Sequence, residues 1–138
     1  MNTALIITIS LLVLVIILFV LASSPSKRIS ASRKAEIYQD FAKLYSLAIS
    51  DDSSVRRDSF IKMDNILTKA LQLYFSNQKT CGTNLKQAKK KFNKKQYQKI
   101  WDVHKTRNSI VHDDADVSKE DSAKAFEVYK MSLITLLK

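Results

Sequence analysis

Apolar residues follow two different patterns along this chain. From position 4 to 22 they run on without interruption by charge (ALIITISLLVLVIILFVLA), and only Thr8 and Ser10 are polar. From position 35 onward they return every three or four residues, the period of an α-helix with one buried face. Ala35, Tyr38, Phe41, Ala42, Tyr45, Ala48 and Ile49 predict a first amphipathic helix. Asp51-Asp52-Ser53-Ser54 ends it and supplies caps for the next. Phe60, Met63, Ile66, Leu67, Ala70, Leu71 and Tyr74 form the stripe of a second, long helix, with the only glycine, Gly82, in the turn behind it. A short third helix carries Leu85, Ala88 and Phe92 inward. Asn93 with Gln96 three residues later has the form of a capping box. It opens a fourth helix whose inner face is Tyr97, Ile100, Trp101, His104, Asn108 and Val111. Ser118 and Asp121 cap a last helix that buries Ala123, Phe126, Tyr129, Leu133, Ile134 and Leu137. No alternating pattern with hairpin turns and no internal repeat occurs. The expectation is an all-α chain: an N-terminal single transmembrane helix followed by a four- to five-helix up-and-down bundle.

The continuous stretch sets the domain plan. At about 1.5 Å per residue it would span roughly 28 Å, close to the hydrocarbon thickness of a bilayer. Val20-Leu21-Ala22 has the form of a signal-peptide cleavage site, but Met1 to Thr3 carry no cation and the run is long for a signal sequence. The cations follow it instead: Lys27, Arg28, Arg33 and Lys34. By the positive-inside bias, residues 1–23 are expected to be a membrane anchor with the following domain in the cytoplasm. Residues 24–34 are a basic, Ser-rich linker holding the only proline, Pro25, and residues 35–138 are the helical domain.

Charge adds one feature. Lys and Arg number 23 against 13 Asp and Glu. The excess is concentrated between positions 79 and 107, where Lys79, Lys86, Lys89, Lys90, Lys91, Lys94, Lys95, Lys99, Lys105 and Arg107 face only Asp102. Most lysine runs are solvated helix faces. This one also suits an RNA backbone or anionic lipid, for which Lys86, Lys89, Lys90, Lys91, Lys94 and Lys95 are the candidate contacts. Cys81 is alone, which fits a reducing compartment, and nothing at zinc-finger spacing accompanies it. No metal site and no cofactor are expected, and a P-loop or Ser-His-Asp set is absent from the sequence.

The remaining chemistry lies in Arg107-Asn108-Ser109-Ile110-Val111-His112. Five helical residues rotate by about 140° net, so Arg107 and His112 point away from a common face on a regular helix. Asn108 shares a face with His104 and His112. His104, beside Trp101 on the apolar face, reads as a hydrogen-bonded packing residue, and Arg107 could simply pair with Asp102, Asp113 or Asp114.

The run Trp101-x-x-His104-Lys105-x-Arg107-Asn108-x-x-x-His112 resembles the motif of HEPN domains (higher eukaryotes and prokaryotes nucleotide-binding), in particular small bacterial members. The likeness covers roughly positions 54 to 138 and includes Asp64 and the Gly82 to Phe92 segment. It implies an all-α fold that often forms a homodimer, with the two motifs meeting at the interface, and in active relatives a metal-independent endoribonuclease. Carried over, Arg107 would bind the scissile phosphate, Asn108 would be the polar residue that follows it, and His112 would be the acid-base group. A guanidinium holds phosphate in bidentate fashion, and an imidazole can move the proton of a ribose 2′-hydroxyl. The alternatives are a catalytically silent module that dimerises or binds a nucleotide or protein partner at the membrane, and a lipid-facing adaptor.

Overall fold

The computed structural model describes residues 2–22 and 28–138, and among these every regular element is helical. Helix α1 (Thr3–Ala22) stands first. Among the described residues no helix is long and apolar enough to cross a membrane. The expected transmembrane span is not found on that measure. Residues 24–27 of the expected linker lie outside the described residues, and its last part is helical instead. A helix begins at Ala31, capped by Ser30, which accepts from Arg33 N–H at 3.3 Å, so the helical domain starts before position 35.

The first amphipathic helix is two helices, α2 (Ala31–Ala42) and α3 (Tyr45–Ala48). The chain tightens between them, where Leu44 N–H donates to Phe41 C=O at 3.0 Å. The buried stripe is Ile37, Phe41, Leu44 and Ala48, spaced four, three and four residues apart. The expected Tyr38 and Tyr45 are instead exposed, at 37% and 48%. A tyrosine can keep its hydroxyl in water while its ring lies along the surface. The Tyr45 ring does this, meeting Phe126 edge-on at 5.1 Å, while Phe41 stacks on Phe126 at 4.5 Å.

Helix α4 (Ser53–Phe75) is the centre of the bundle and touches α2, α3, α5, α6 and α7. Asp52 caps it, accepting from Ser54 N–H at 2.8 Å and Val55 N–H at 3.4 Å. Its far end closes on Ser76 in the left-handed conformation, φ 50°. Gly82 does not serve that turn. It lies inside the first turn of α5 (Cys81–Gln87), which runs into a 3-10 turn at Ala88–Lys91. Leu85, Ala88 and Phe92 are buried there as expected.

Helix α6 (Lys94–His112) begins at the expected capping box: Gln96 N–H donates to Asn93 Oδ1 at 2.8 Å and Asn93 N–H to Gln96 Oε1 at 3.3 Å. Its buried residues are Ile100, His104 and Ile110, whereas Val111, expected inside, is 44% exposed. The chain leaves α6 on the Ile110 side. There Arg57 donates to the Ile110 carbonyl at 3.5 Å and pairs with Asp114, while Arg56 Nε donates to Val117 C=O at 3.0 Å. Helix α7 (Lys119–Leu137) is capped by Ser118, which accepts from Asp121 N–H at 3.0 Å. It packs along α4 and α6 with Phe126, Tyr129, Leu133, Leu136 and Leu137 inward. Ile134, expected inside, is 43% exposed, and Leu136 takes its place.

Candidate functional site

Asp64 lies on the apolar stripe of α4, between Met63 and Leu67, and is 2% exposed. A carboxylate buried alone costs several kcal/mol in lost hydration, so it must be paired. Three side chains from two other helices do this. His104 Nδ1–H donates to Asp64 Oδ1 at 2.9 Å, and Tyr129 O–H donates to the same oxygen at 3.0 Å. Arg107 Nε lies 3.6 Å from Oδ2, an ion-pair contact too long for a hydrogen bond. The Asp64 hydrogen bond, then the neighbouring Cys81 sulfur, push the His104 imidazole up to about 10 against the opposing effect of burial. Burial and the Asp64 charge hold the Tyr129 phenol well above its ordinary range. At neutral pH the centre therefore pairs a carboxylate with an imidazolium and a guanidinium.

Cys81 completes the cluster. It is 6% exposed, and its sulfur lies with a carboxylate oxygen of Asp64 and a ring nitrogen of His104, all within 4.8 Å of one another. Trp101 closes one side, edge-on to the His104 ring at 5.8 Å. His104 is thus the hydrogen-bonded, buried residue that its sequence context suggested, with Asp64 as its partner.

The motif residues separate. Arg107 is half-buried and its Nη1–H donates to Asn108 Oδ1 at 3.2 Å, so this pair is brought together. Its acid is Asp64 and none of the three expected from neighbouring sequence; Asp114 is taken by Arg57. His112 is exposed in the last turn of α6, and among the described residues no hydrogen bond or ion pair joins it to Arg107. Lys86, Lys89, Lys90, Lys91, Lys94 and Lys95 are all exposed. None of them has an acidic partner among the described residues, although Lys91 Nζ lies 5.0 Å from the Tyr74 ring centre. Between α6 and α7 runs an open groove of about 990 Å³, floored by Phe60, Val103, Ala125, Val128 and Met131.

Sequence reasoning missed the roles of Asp64, Cys81 and Tyr129. One signal was available for Asp64: an acid four residues after Phe60 and three before Leu67 lies on the buried stripe and needs a partner. No family model, no curated protein and no solved structure matches this chain. The class defined by fold and site is an all-helical bundle built around a buried, carboxylate-centred polar cluster. None of these comparisons bears on the resemblance to HEPN domains, which rests on the sequence.

Proposed function

We propose that this chain is a membrane-tethered, HEPN-like RNA-binding protein whose Arg107-Asn108-x-x-x-His112 segment cuts RNA without a catalytic metal when two copies meet. The observation that carries the RNA reading is the exposed, unneutralised lysine run at the junction of α5 and α6. Lys94 and Lys95 occupy the first turn of α6, which holds no acid. Cations there oppose the helix dipole, by roughly 0.3–1 kcal/mol each. A surface that accepts this cost suits a polyanion, because lysines and helix N–H groups then face the same phosphates.

In the proposed reaction Arg107 meets the scissile phosphate, and His112 takes the proton of the 2′-hydroxyl as its oxygen attacks phosphorus. The P–O5′ bond breaks, the departing 5′-oxygen takes a proton from solvent, and a 2′,3′-cyclic phosphate and a 5′-hydroxyl remain. Arg107 is half-buried and His112 exposed on one helix, so the second copy supplies the complement. The groove between α6 and α7, apolar at its floor and edged by both signs of charge, suits such a self-association. Tethering is supported by α1, where Leu12 is 65% and Phe19 72% exposed on a helix apolar all round. The cations after it orient the domain to the cytoplasm.

The test compares the full chain in detergent micelles with its His112→Ala variant on labelled single-stranded RNA in chelator. The variant should lose cutting, about 10²–10⁴-fold, and keep its RNA affinity. Equal cutting by both sinks the assigned acid-base role. No cutting by a folded dimer leaves the second reading, a silent dimerisation or partner-binding module. That reading is favoured by one observation: Arg107 already has a buried counter-charge in Asp64.

A further inference from the structure

The cluster behind Arg107 brings together a thiol, an imidazole and a carboxylate from three helices, α5, α6 and α4. They are three of the ligand types that zinc and its neighbours in the first transition row take. We propose that Cys81, His104 and Asp64 form a structural site for a divalent transition metal of the zinc class. It adjoins Arg107 through Asp64, but it requires no RNA cutting and stands whether or not RNA is cut.

Geometry and chemistry support it together. The donor atoms already lie within 4.8 Å of one another. Zinc bonds of about 2.0 Å to nitrogen and oxygen and 2.3 Å to sulfur, set tetrahedrally, require donors roughly 3.3–3.6 Å apart. Side-chain rotations that draw the three inward would meet that requirement. His104 Nδ1 and Asp64 Oδ1, now bridged by a proton at 2.9 Å, would open by a few tenths of an ångström to admit the ion. On binding, the Cys81 thiol and the bridging imidazole position each release a proton to solvent, while the ion gains a sulfur, a nitrogen and an oxygen ligand. Thiolate and carboxylate together match the charge of a divalent ion, the imidazole enters as a neutral ligand, and the Arg107 guanidinium stays beside Asp64 Oδ2. Tyr129 O–H, 3.0 Å from Asp64 Oδ1, remains as the outer hydrogen bond that orients the carboxylate. A water can occupy the fourth position.

The burial of all three residues favours a structural ion over a catalytic one. Neither the α6–α7 groove nor the smaller one beside the start of α2 is lined by any of them. An ion held by these three buried side chains would instead fasten α5 to α4 and α6. That junction is otherwise made by a seven-residue helix whose buried residues besides Cys81 are Asn84 and Leu85.

The experiment uses the full chain in detergent micelles, stripped of metal and kept reduced, and titrates it with Co²⁺. One equivalent should bind, giving the intense visible bands of tetrahedral cobalt and a sulfur-to-cobalt charge-transfer band. Cys81 is the only cysteine, so that band in the wild-type chain reports this residue directly. One equivalent of Zn²⁺ should bleach it and raise the melting temperature. Cys81→Ser should lose the charge-transfer band and bind at least tenfold more weakly, whereas His112→Ala should behave as wild type. Binding without a sulfur band, equal binding by Cys81→Ser, or only the weak spectrum of octahedral cobalt overturns the proposal. If Cys81→Ser does not fold, the wild-type band alone decides.

Discussion

Asp64 accepts two hydrogen bonds on one oxygen and faces a guanidinium with the other, so each partner carries a measurable share of its burial. Removing the Tyr129 hydroxyl leaves the ring packed against Phe60, 5.9 Å between centres, and takes one donor from a buried charge. Tyr129→Phe should therefore lower unfolding stability by about 1.5–3 kcal/mol in a denaturant titration of metal-free protein. The His104 pair has a definite sign in pH. Its folded-state pKa of about 10 lies above the ordinary 6.5, so the stability it supplies is complete below pH 6.5. That stability is lost as pH rises through 10. Measured between pH 6.5 and 10, the metal-free wild type should fall toward the stability of His104→Gln. Parallel curves for the two proteins would deny the charged pair. Arg107→Ala leaves the carboxylate its two hydrogen bonds but takes away its guanidinium. It should both weaken RNA binding and destabilise the bundle, whereas His112→Ala, exposed at the end of α6, should leave stability within about 0.5 kcal/mol of wild type.

At the scale of elements, the helix starts are set by local chemistry. Asp52, Asn93 and Ser118 each place a side-chain oxygen on a backbone N–H two or three residues ahead. Asn93 has the reciprocal Gln96 contact as well, so Asn93→Ala should cost about 1 kcal/mol by chemical denaturation and shorten α6 from its N-terminus. Local periodicity was weaker evidence for which face turns inward. In α2 and α3 the tyrosines and alanines supplied a plausible stripe one residue out of phase with the buried one. Ile37 and Leu44 won because aliphatic side chains have no polar end to keep wet. In α6 the buried face changes along the helix, from His104 at the cluster to Ile110 nearer its end, where Arg57 of α4 donates to the Ile110 carbonyl.

The whole molecule is organised by charge as much as by its core. Its excess of cations lies on the outside of α5 and α6, while its most deeply buried acid lies behind α6. Replacing Lys89, Lys90 and Lys91 together by Gln should weaken RNA binding and reduce the salt dependence of its affinity by roughly two units in log–log slope. The fold should be untouched, because all three are exposed. Lys91 alone gives up a contact, the one with the Tyr74 ring. An unchanged salt slope with RNA would remove these lysines from the RNA-binding surface. Core substitutions should act in the opposite way: Leu67→Ala, fully buried on the central helix, should cost about 2–5 kcal/mol without altering the salt slope.

What the chain determined by itself is local in origin. The helical class, the caps at Asp52, Asn93 and Ser118, and the outward lysines all follow from residues within a few positions of one another. So do the inward Phe60, Leu67, Ile100 and Leu133. The separation of Arg107 from His112 was also legible, because a helix fixes the angle between two of its own residues. The cluster was not. Asp64 and His104 are 40 residues apart, and Asp64 and Tyr129 are 65 apart. Spacing around Cys81 gave no sign of a metal set, since each candidate ligand comes from a different helix. Helical periodicity places a side chain relative to its own axis. How those axes turn to face one another is decided by packing the whole core, and only that packing put the thiol, the imidazole, the phenol and the guanidinium around one carboxylate.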